Sequence, residues 1–210
     1  MSPKMPTLFL PGAGGRRAFW EPVATRLAHT KHPLFFAWPG FGDEPPEPRV
    51  RSLDDLYEWF IARAPKTPSN VVAQSMGGVI AMRFAIEQPQ RVQRLVLTAT
   101  SGGTSMHVGV DWRPGFRAEH PEAPDWFERD QTDLEARLGQ LRAPTLLLFG
   151  DADPIAPLDL GERLRSRLNG AHLVVVRGGS HGFAEERPDE VARLIDEHFA
   201  ASAPAAFLTR

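Results

Sequence analysis

Ala73-Gln74-Ser75-Met76-Gly77 follows the apolar pair Val71-Val72 and opens the helix-like run Val79 to Ile86. Read as strand, sharp turn and helix, the pentapeptide lifts the Ser75 hydroxyl clear of a sheet edge. The small residues two before and two after it let the backbone cross closely there. The turn presents Ser75 as a candidate nucleophile. A serine just before a helix also serves as an N-cap, its oxygen accepting from orphan N–H groups, so segments elsewhere in the chain have to decide between the two.

Outward from this turn, short apolar runs alternate with amphipathic stretches, the pattern of βαβ units and a mainly parallel sheet covered on both faces. Strands are predicted at Thr7–Leu10, Leu34–Ala37, Asn70–Ala73, Leu95–Ala99, Thr145–Phe149 and His172–Val176. Helices are predicted near Trp20–His29, Leu53–Ala64, Gly77–Gln88, Leu158–Leu168 and Pro188–Ala200, with a further one over Leu134 to Leu141 leading into the fifth strand. Leu53, Leu56, Tyr57 and Phe60 fall at helical spacing, as do Val191, Leu194, Ile195 and Phe199, so these helices carry inward stripes and most of their aromatics belong to the core. From Ser101 to about Asp130 the rhythm stops, yet Trp112, Phe116, Trp126 and Phe127 lie there. A loop of that length inside a compact domain is typically a lid or binding segment, and four large aromatics pack on something.

The 210 residues, 42% of them hydrophobic, suit one domain over the whole chain with a short cap insertion at about 101–130. A formal charge of -2, from 24 Lys+Arg against 26 Asp+Glu, offers no basic field for a phosphate backbone, so nucleic acid is not an expected partner. Cysteine is absent, which excludes disulfides and thiolate catalysis. No apolar run approaches membrane-spanning length and the start reads into a strand rather than a signal-peptide core, so no membrane association and a cytoplasmic location are expected.

A nucleophilic serine needs a base, a group to orient that base, and donors for the oxyanion. Each has a candidate in a loop that follows a predicted strand. Leu10-Pro11-Gly12-Ala13-Gly14-Gly15 lets successive backbone N–H groups line a concavity; it lacks the Lys-Ser/Thr ending of a phosphate loop. Phe149-Gly150-Asp151-Ala152-Asp153-Pro154 brings two carboxylates to the end of the fifth strand, and Gly178-Gly179-Ser180-His181-Gly182 brings an imidazole to the end of the sixth. Singly, such an Asp is a turn or cap residue and such a His a surface residue. In open α/β sheets, however, reactive groups collect beyond the carboxyl ends of the strands, where Ser75, one of the two aspartates and His181 can meet. A metal site built from Asp151, Asp153, His172 and His181 is the other reading of these side chains, but His172 begins the strand that His181 follows, so the two stand at opposite ends.

The chain order Ser…Asp…His with a nucleophile elbow resembles the α/β-hydrolase family from Pro6 to about Phe199. The Pro39-Gly40-Phe41-Gly42 turn, Pro144-Thr145-Leu146 entering Gly150-x-x-Asp153, and His181 followed by Glu186 and Pro188 are similar to family spacings. The resemblance implies a three-layer α/β/α fold with a mostly parallel sheet of about six strands in the order 2-1-3-4-5-6 and a reduced cap. It implies Asp153 rather than Asp151 as the orienting acid, and the N–H groups of Ala13 and Met76 as the oxyanion hole, with Gly14 an alternative to Ala13. Departures from the family pattern are Pro11-Gly12 where His-Gly is common, and Ala73 at the first small position of the elbow. Neither removes a reacting group.

The expectation is therefore a serine hydrolase for carboxylic esters or thioesters of small to medium acyl groups, working without metal or organic cofactor. Trp112, Phe116 and Trp126 of the cap, with Gly14, are candidate substrate contacts. Arg16 and Arg17 read first as adjacent arginines on a solvated helix start and second as candidates for binding a substrate carboxylate, whereas His107, His120 and Asp111 are read as solvating the cap. Lyase, acyl-transfer and perhydrolase outcomes use the same triad, and a non-catalytic small-molecule receptor uses the same fold. Menaquinone-pathway synthases of the family carry Arg four residues after the nucleophile, where this chain has Val79.

Overall fold

The computed structural model describes residues 5–28, 30, 32–104, 110–129 and 132–201. Six parallel strands, β1 (Thr7–Leu10), β2 (Pro33–Phe35), β3 (Ser69–Gln74), β4 (Val92–Thr98), β5 (Thr145–Gly150) and β6 (His172–Val176), form one sheet in the order β2-β1-β3-β4-β5-β6. That is the predicted order. Parallel pairing forces crossovers, and helices supply them: α1 (Glu21–Ala24), α2 (Leu53–Arg63), α3 (Met76–Glu87), then α4 (Arg113–Glu119) and α5 (Trp126–Arg129) between β4 and β5, α6 (Leu158–Arg167), and finally α7 (Phe183–Glu186) and α8 (Pro188–Ala200). Covered on both faces, the central strands read as unbroken apolar runs, and Leu8 to Leu10, Val71 to Ala73 and Leu95 to Leu97 are without solvent exposure. Leu53, Leu56, Tyr57 and Phe60 of α2 and Val191 and Ile195 of α8 are buried, as their spacing requires. Each full burial of such a side chain stabilises by about 1.5–3 kcal/mol.

Several boundaries differ from the sequence reading, for physical reasons. The helix expected over Trp20–His29 is a 3-10 turn, Arg17–Trp20, followed by the single α-turn of α1. Beyond Ala24 the N–H groups of Arg26 and Leu27 bond three residues back, and that of Ala28 is taken by the Asp196 carboxylate at 2.8 Å, which competes with helix continuation. His29, the expected end of that helix, lies outside the described residues. Strand β2 ends at Phe35 rather than Ala37, because after the Phe36 N–H bonds the Phe9 carbonyl the chain turns and Trp38 N–H bonds Gly15. The helix expected over Leu134–Leu141 is a 3-10 helix at Glu135–Gln140, with bonds from Arg137 to Leu134 and from Leu141 to Leu138; Gly139 disfavours a full α-turn there. The cap, expected to lack regular structure, holds α4 and α5, too short to display a helical period. Among the described residues no helix is long and apolar enough to cross a membrane.

The strand order reverses at β1, whose two neighbours are β2 and β3. The crevice beyond the carboxyl ends of β1 and β3 is thus a topological switch point, where open α/β sheets place ligands.

Candidate active site

Ser75 lies between the last residue of β3 and the first of α3, at φ 51° and ψ -120°, a conformation sparsely populated by non-glycine residues. An N-capping serine adopts extended dihedrals and accepts from a helix N–H. Ser75 does neither, and its side chain makes no cap hydrogen bond. The surroundings over-determine the turn: Ser75 N–H donates to the Thr98 carbonyl at 3.1 Å, and its carbonyl accepts from the Thr100 hydroxyl at 2.7 Å.

The close crossing expected at the elbow is present at Gly77, where an added Cβ would lie 2.4 Å from the Pro11 carbonyl oxygen and 2.7 Å from that of Leu10. Both obstacles are backbone and cannot swing away. Gly77→Ala should therefore destabilise the protein by about 1–3 kcal/mol, the usual cost of overpacking, measured as a lowered urea midpoint at unchanged slope. An unaltered midpoint would show that α3 and β1 do not approach this closely.

His181, in the loop after β6, places Nε2 3.1 Å from Ser75 Oγ and Nδ1 2.9 Å from Asp153 Oδ2. The Asp153 carboxylate is fully buried, while the His181 side chain is one-quarter exposed. The other carboxylate oxygen accepts from the backbone N–H groups of Ile155 at 2.8 Å and Ala156 at 3.0 Å. Burial alone would push the Asp153 carboxyl up, but the hydrogen bond and charge interaction with His181, with the Ala156 and Ile155 N–H groups, outweigh it and hold the group below the usual carboxylate range. Asp153 is thus held as an anion facing the imidazole.

Asp151, which sequence physics could not separate from Asp153, points elsewhere. It accepts from the Gly178 N–H and pairs with Arg177 at 3.2 Å; these contacts, the Gly178 bond first, lower its pKa. It anchors the turn at the start of the histidine loop. His172 begins β6 opposite Leu146, at the far end of the sheet from His181, and among the described residues no cluster of His, Asp and Glu could hold a metal ion.

The loop after β1 lies against the nucleophile, since an added Cβ at Gly12 would sit 3.0 Å from Ser75 Cβ. Two buried indoles fix this loop. Trp20 Nε1–H donates to the Leu10 carbonyl at 2.9 Å, and Trp38 Nε1–H to the Pro11 carbonyl at 2.8 Å. Ala13 and Gly14 follow immediately. Met76 is the first residue of α3, whose leading N–H groups have no acceptor within the helix. The site therefore has backbone donors available on both sides of Ser75.

The cap aromatics form one cluster. Phe127 lies 5.0 Å from Trp112, 5.3 Å from Phe116 and 6.3 Å from Trp126, ring centre to ring centre, and Trp126 and Phe127 each pack at 5.6 Å on the buried Phe41. Phe41 in turn touches the glycine loop, because an added Cβ at Gly15 would meet it at 2.4 Å. The cap is further tied to the acid loop by the Val110 N–H, which donates to the Pro154 carbonyl at 2.9 Å. Arg16 forms an exposed ion pair with Glu185 at 3.3 Å, and Arg17 lines a groove with Phe35 and Trp59 outside the site. His120 packs against Phe116 at 4.9 Å with the rings tilted, Asp111 pairs with Arg113, and His107 lies outside the described residues. Sequence reasoning missed Thr100, Trp20, Trp38 and Phe127 as supports. Only the aromatic content of the cap gave any signal for one of them.

Comparison with known proteins matches this arrangement to a family. The model of the alpha/beta hydrolase family matches residues 7–194. The AB hydrolase superfamily protein YisY of Bacillus subtilis is 29% identical over 165 residues, covering 77% of this chain, which spans about half (53%) of that protein. The pimeloyl-[acyl-carrier protein] methyl ester esterase of Neisseria meningitidis serogroup A is 26% identical over 244 residues, covering 89% of this chain and 76% of the relative. Among solved structures, a hydrolase from Pseudomonas aeruginosa superposes with a TM-score of 0.77 at 20% identity, over 96% of this chain and 92% of that one. With a match over most of its length, an all-parallel sheet in the family's strand order and a serine at the strand-to-helix turn, this chain belongs to the alpha/beta hydrolase family of enzymes.

Proposed function

We propose that the protein is a serine hydrolase that cleaves carboxylic esters or thioesters of small to medium acyl groups through an acyl-enzyme. The observation that carries this reading is the unbroken hydrogen-bonded line Asp153–His181–Ser75, with both imidazole nitrogens engaged. The anionic Asp153 fixes the proton on Nδ1, which leaves Nε2 as the acceptor facing Ser75. As Oγ attacks the acyl carbonyl, Nε2 takes its proton and Asp153 stabilises the imidazolium. The oxyanion settles against the N–H groups of Ala13 and Met76, each contributing about 3 kcal/mol to barrier reduction. The imidazolium gives its proton to the departing alcohol or thiol; water, deprotonated by the same nitrogen, then attacks the acyl carbon, the bond to Ser75 Oγ breaks, and Oγ regains the proton from Nε2 as the acid leaves. Trp112, Phe116 and Trp126 supply an apolar wall for the acyl or alcohol group, and the cap's short length suits substrates of modest size. The similarity to a methyl ester esterase supports the ester class.

A panel of p-nitrophenyl esters of graded chain length tests this. We expect turnover that is highest among the short and medium acyl chains and an initial burst of p-nitrophenolate if deacylation limits the rate. A folded protein that turns over no ester or thioester in the panel would contradict the reading.

A further inference from the structure

Gln74, the residue immediately before the nucleophile, is not among the groups that react, yet its side chain lies where three loops of the site meet. It is the last residue of β3, paired with Thr98 of β4, so its backbone is fixed by the sheet. The residue is 6% exposed. Its carboxamide nitrogen donates to the main-chain carbonyl of His181 at 3.3 Å. Its carboxamide oxygen occupies the space beside Gly12 so closely that a Cβ there would lie 2.1 Å away. The histidine loop has a second anchor two residues earlier, where the Ala152 N–H bonds the Gly179 carbonyl at 3.1 Å and Gly150 abuts Gly179. Between that anchor and α7, the main chain of His181 is held from the nucleophile strand by the Gln74 amide.

We infer that Gln74 is a positioning residue: it ties the main chain of His181 to the strand that ends in Ser75, and so sets the distance between base and nucleophile. The inference rests on the triad reading above. Proton transfer from Ser75 depends on an Nε2–Oγ distance now at 3.1 Å, and displacements of about 1 Å can cost on the order of a hundredfold in rate. A buried carboxamide is suited to the task because its donor is directed and its oxygen packs against Gly12, so rotation of the amide is blocked. Gly12 is in this view a glycine because Gln74 fills the place of its side chain.

The experiment compares the wild type with Gln74→Met, which keeps length and removes the donor, and Gln74→Asn, which keeps a buried amide but falls short of His181. Active sites are counted by stoichiometric labelling with a p-nitrophenyl phosphonate, and turnover of p-nitrophenyl butyrate is expressed per labelled site. The expected result in either folded variant is a turnover per site about 10- to 100-fold lower, with labelling slowed in parallel and KM within about twofold of the wild type. A purely structural role would lower the number of labelled sites and leave turnover per site unchanged; that result, or wild-type labelling rates, would overturn the inference. A Ser75→Ala control that retained wild-type turnover would instead overturn the underlying triad reading, and this inference with it.

Discussion

Ser75→Ala should lower kcat on a p-nitrophenyl ester by about a millionfold, the scale seen when a triad nucleophile is removed alone. Oγ is the atom 3.1 Å from the imidazole Nε2, and alanine deletes that atom and nothing else. The backbone donors stay where they are, since the loop after β1 is held by the two indole bonds and the α3 start by the main-chain bonds of Ser75 to Thr98 and Thr100. Substrate should bind with little change in KM, and the variant should fold, because alanine inherits the same strained φ without needing new space. Steady-state kinetics with a thermal melt reads both quantities. A loss of less than about tenfold in a folded variant would mean that another group performs the attack.

Asp153→Asn is expected to have the second largest effect, a fall in kcat of about 10⁴-fold at nearly unchanged KM. The structure states which way an asparagine would turn. The backbone N–H groups of Ile155 and Ala156 require an acceptor at the Oδ1 position, so the amide oxygen must face them and the NH₂ must face His181 Nδ1. Nδ1 then accepts, the proton moves to Nε2, and the nitrogen facing Ser75 can no longer take a proton. The variant also carries a stability signature. The carboxyl of Asp153 is depressed in the folded protein, so its contribution is present above the unfolded carboxylate pKa and is lost as pH falls through the lower folded value. Urea midpoints of wild type and variant should therefore differ at neutral pH and converge in acid. A difference that grew on acidification would show that Asp153 is not held as an anion.

The sheet was legible because its cause is local: apolar, often β-branched runs of four or five residues between Gly- and Pro-rich junctions leave little but a parallel strand. Boundaries moved where a distant group intervened, as where Asp196 takes the Ala28 N–H beyond the end of α1. The candidate nucleophile and base could be read because each combines a reactive residue type with a strand-ending loop. Which aspartate faces the base is implied only by the family resemblance, which points to Asp153; the residues alone do not separate the two, because Asp151 and Asp153 differ only in what the folded chain brings to them, Gly178 and Arg177 for one and His181 for the other. Gln74, Thr100, Trp20 and Trp38 left no mark of their own. Their roles are hydrogen bonds to main-chain carbonyls of residues 10 to 107 positions away, and a carbonyl has no sequence identity.

Whether the Ser75 oxygen is the attacking nucleophile is tested most directly by mass spectrometry after treatment with a p-nitrophenyl phosphonate. The wild type should gain one phosphonyl group, mapped to the peptide that contains Ser75, while Ser75→Ala gains none. An adduct on a different residue, or equal labelling of Ser75→Ala, would contradict that role.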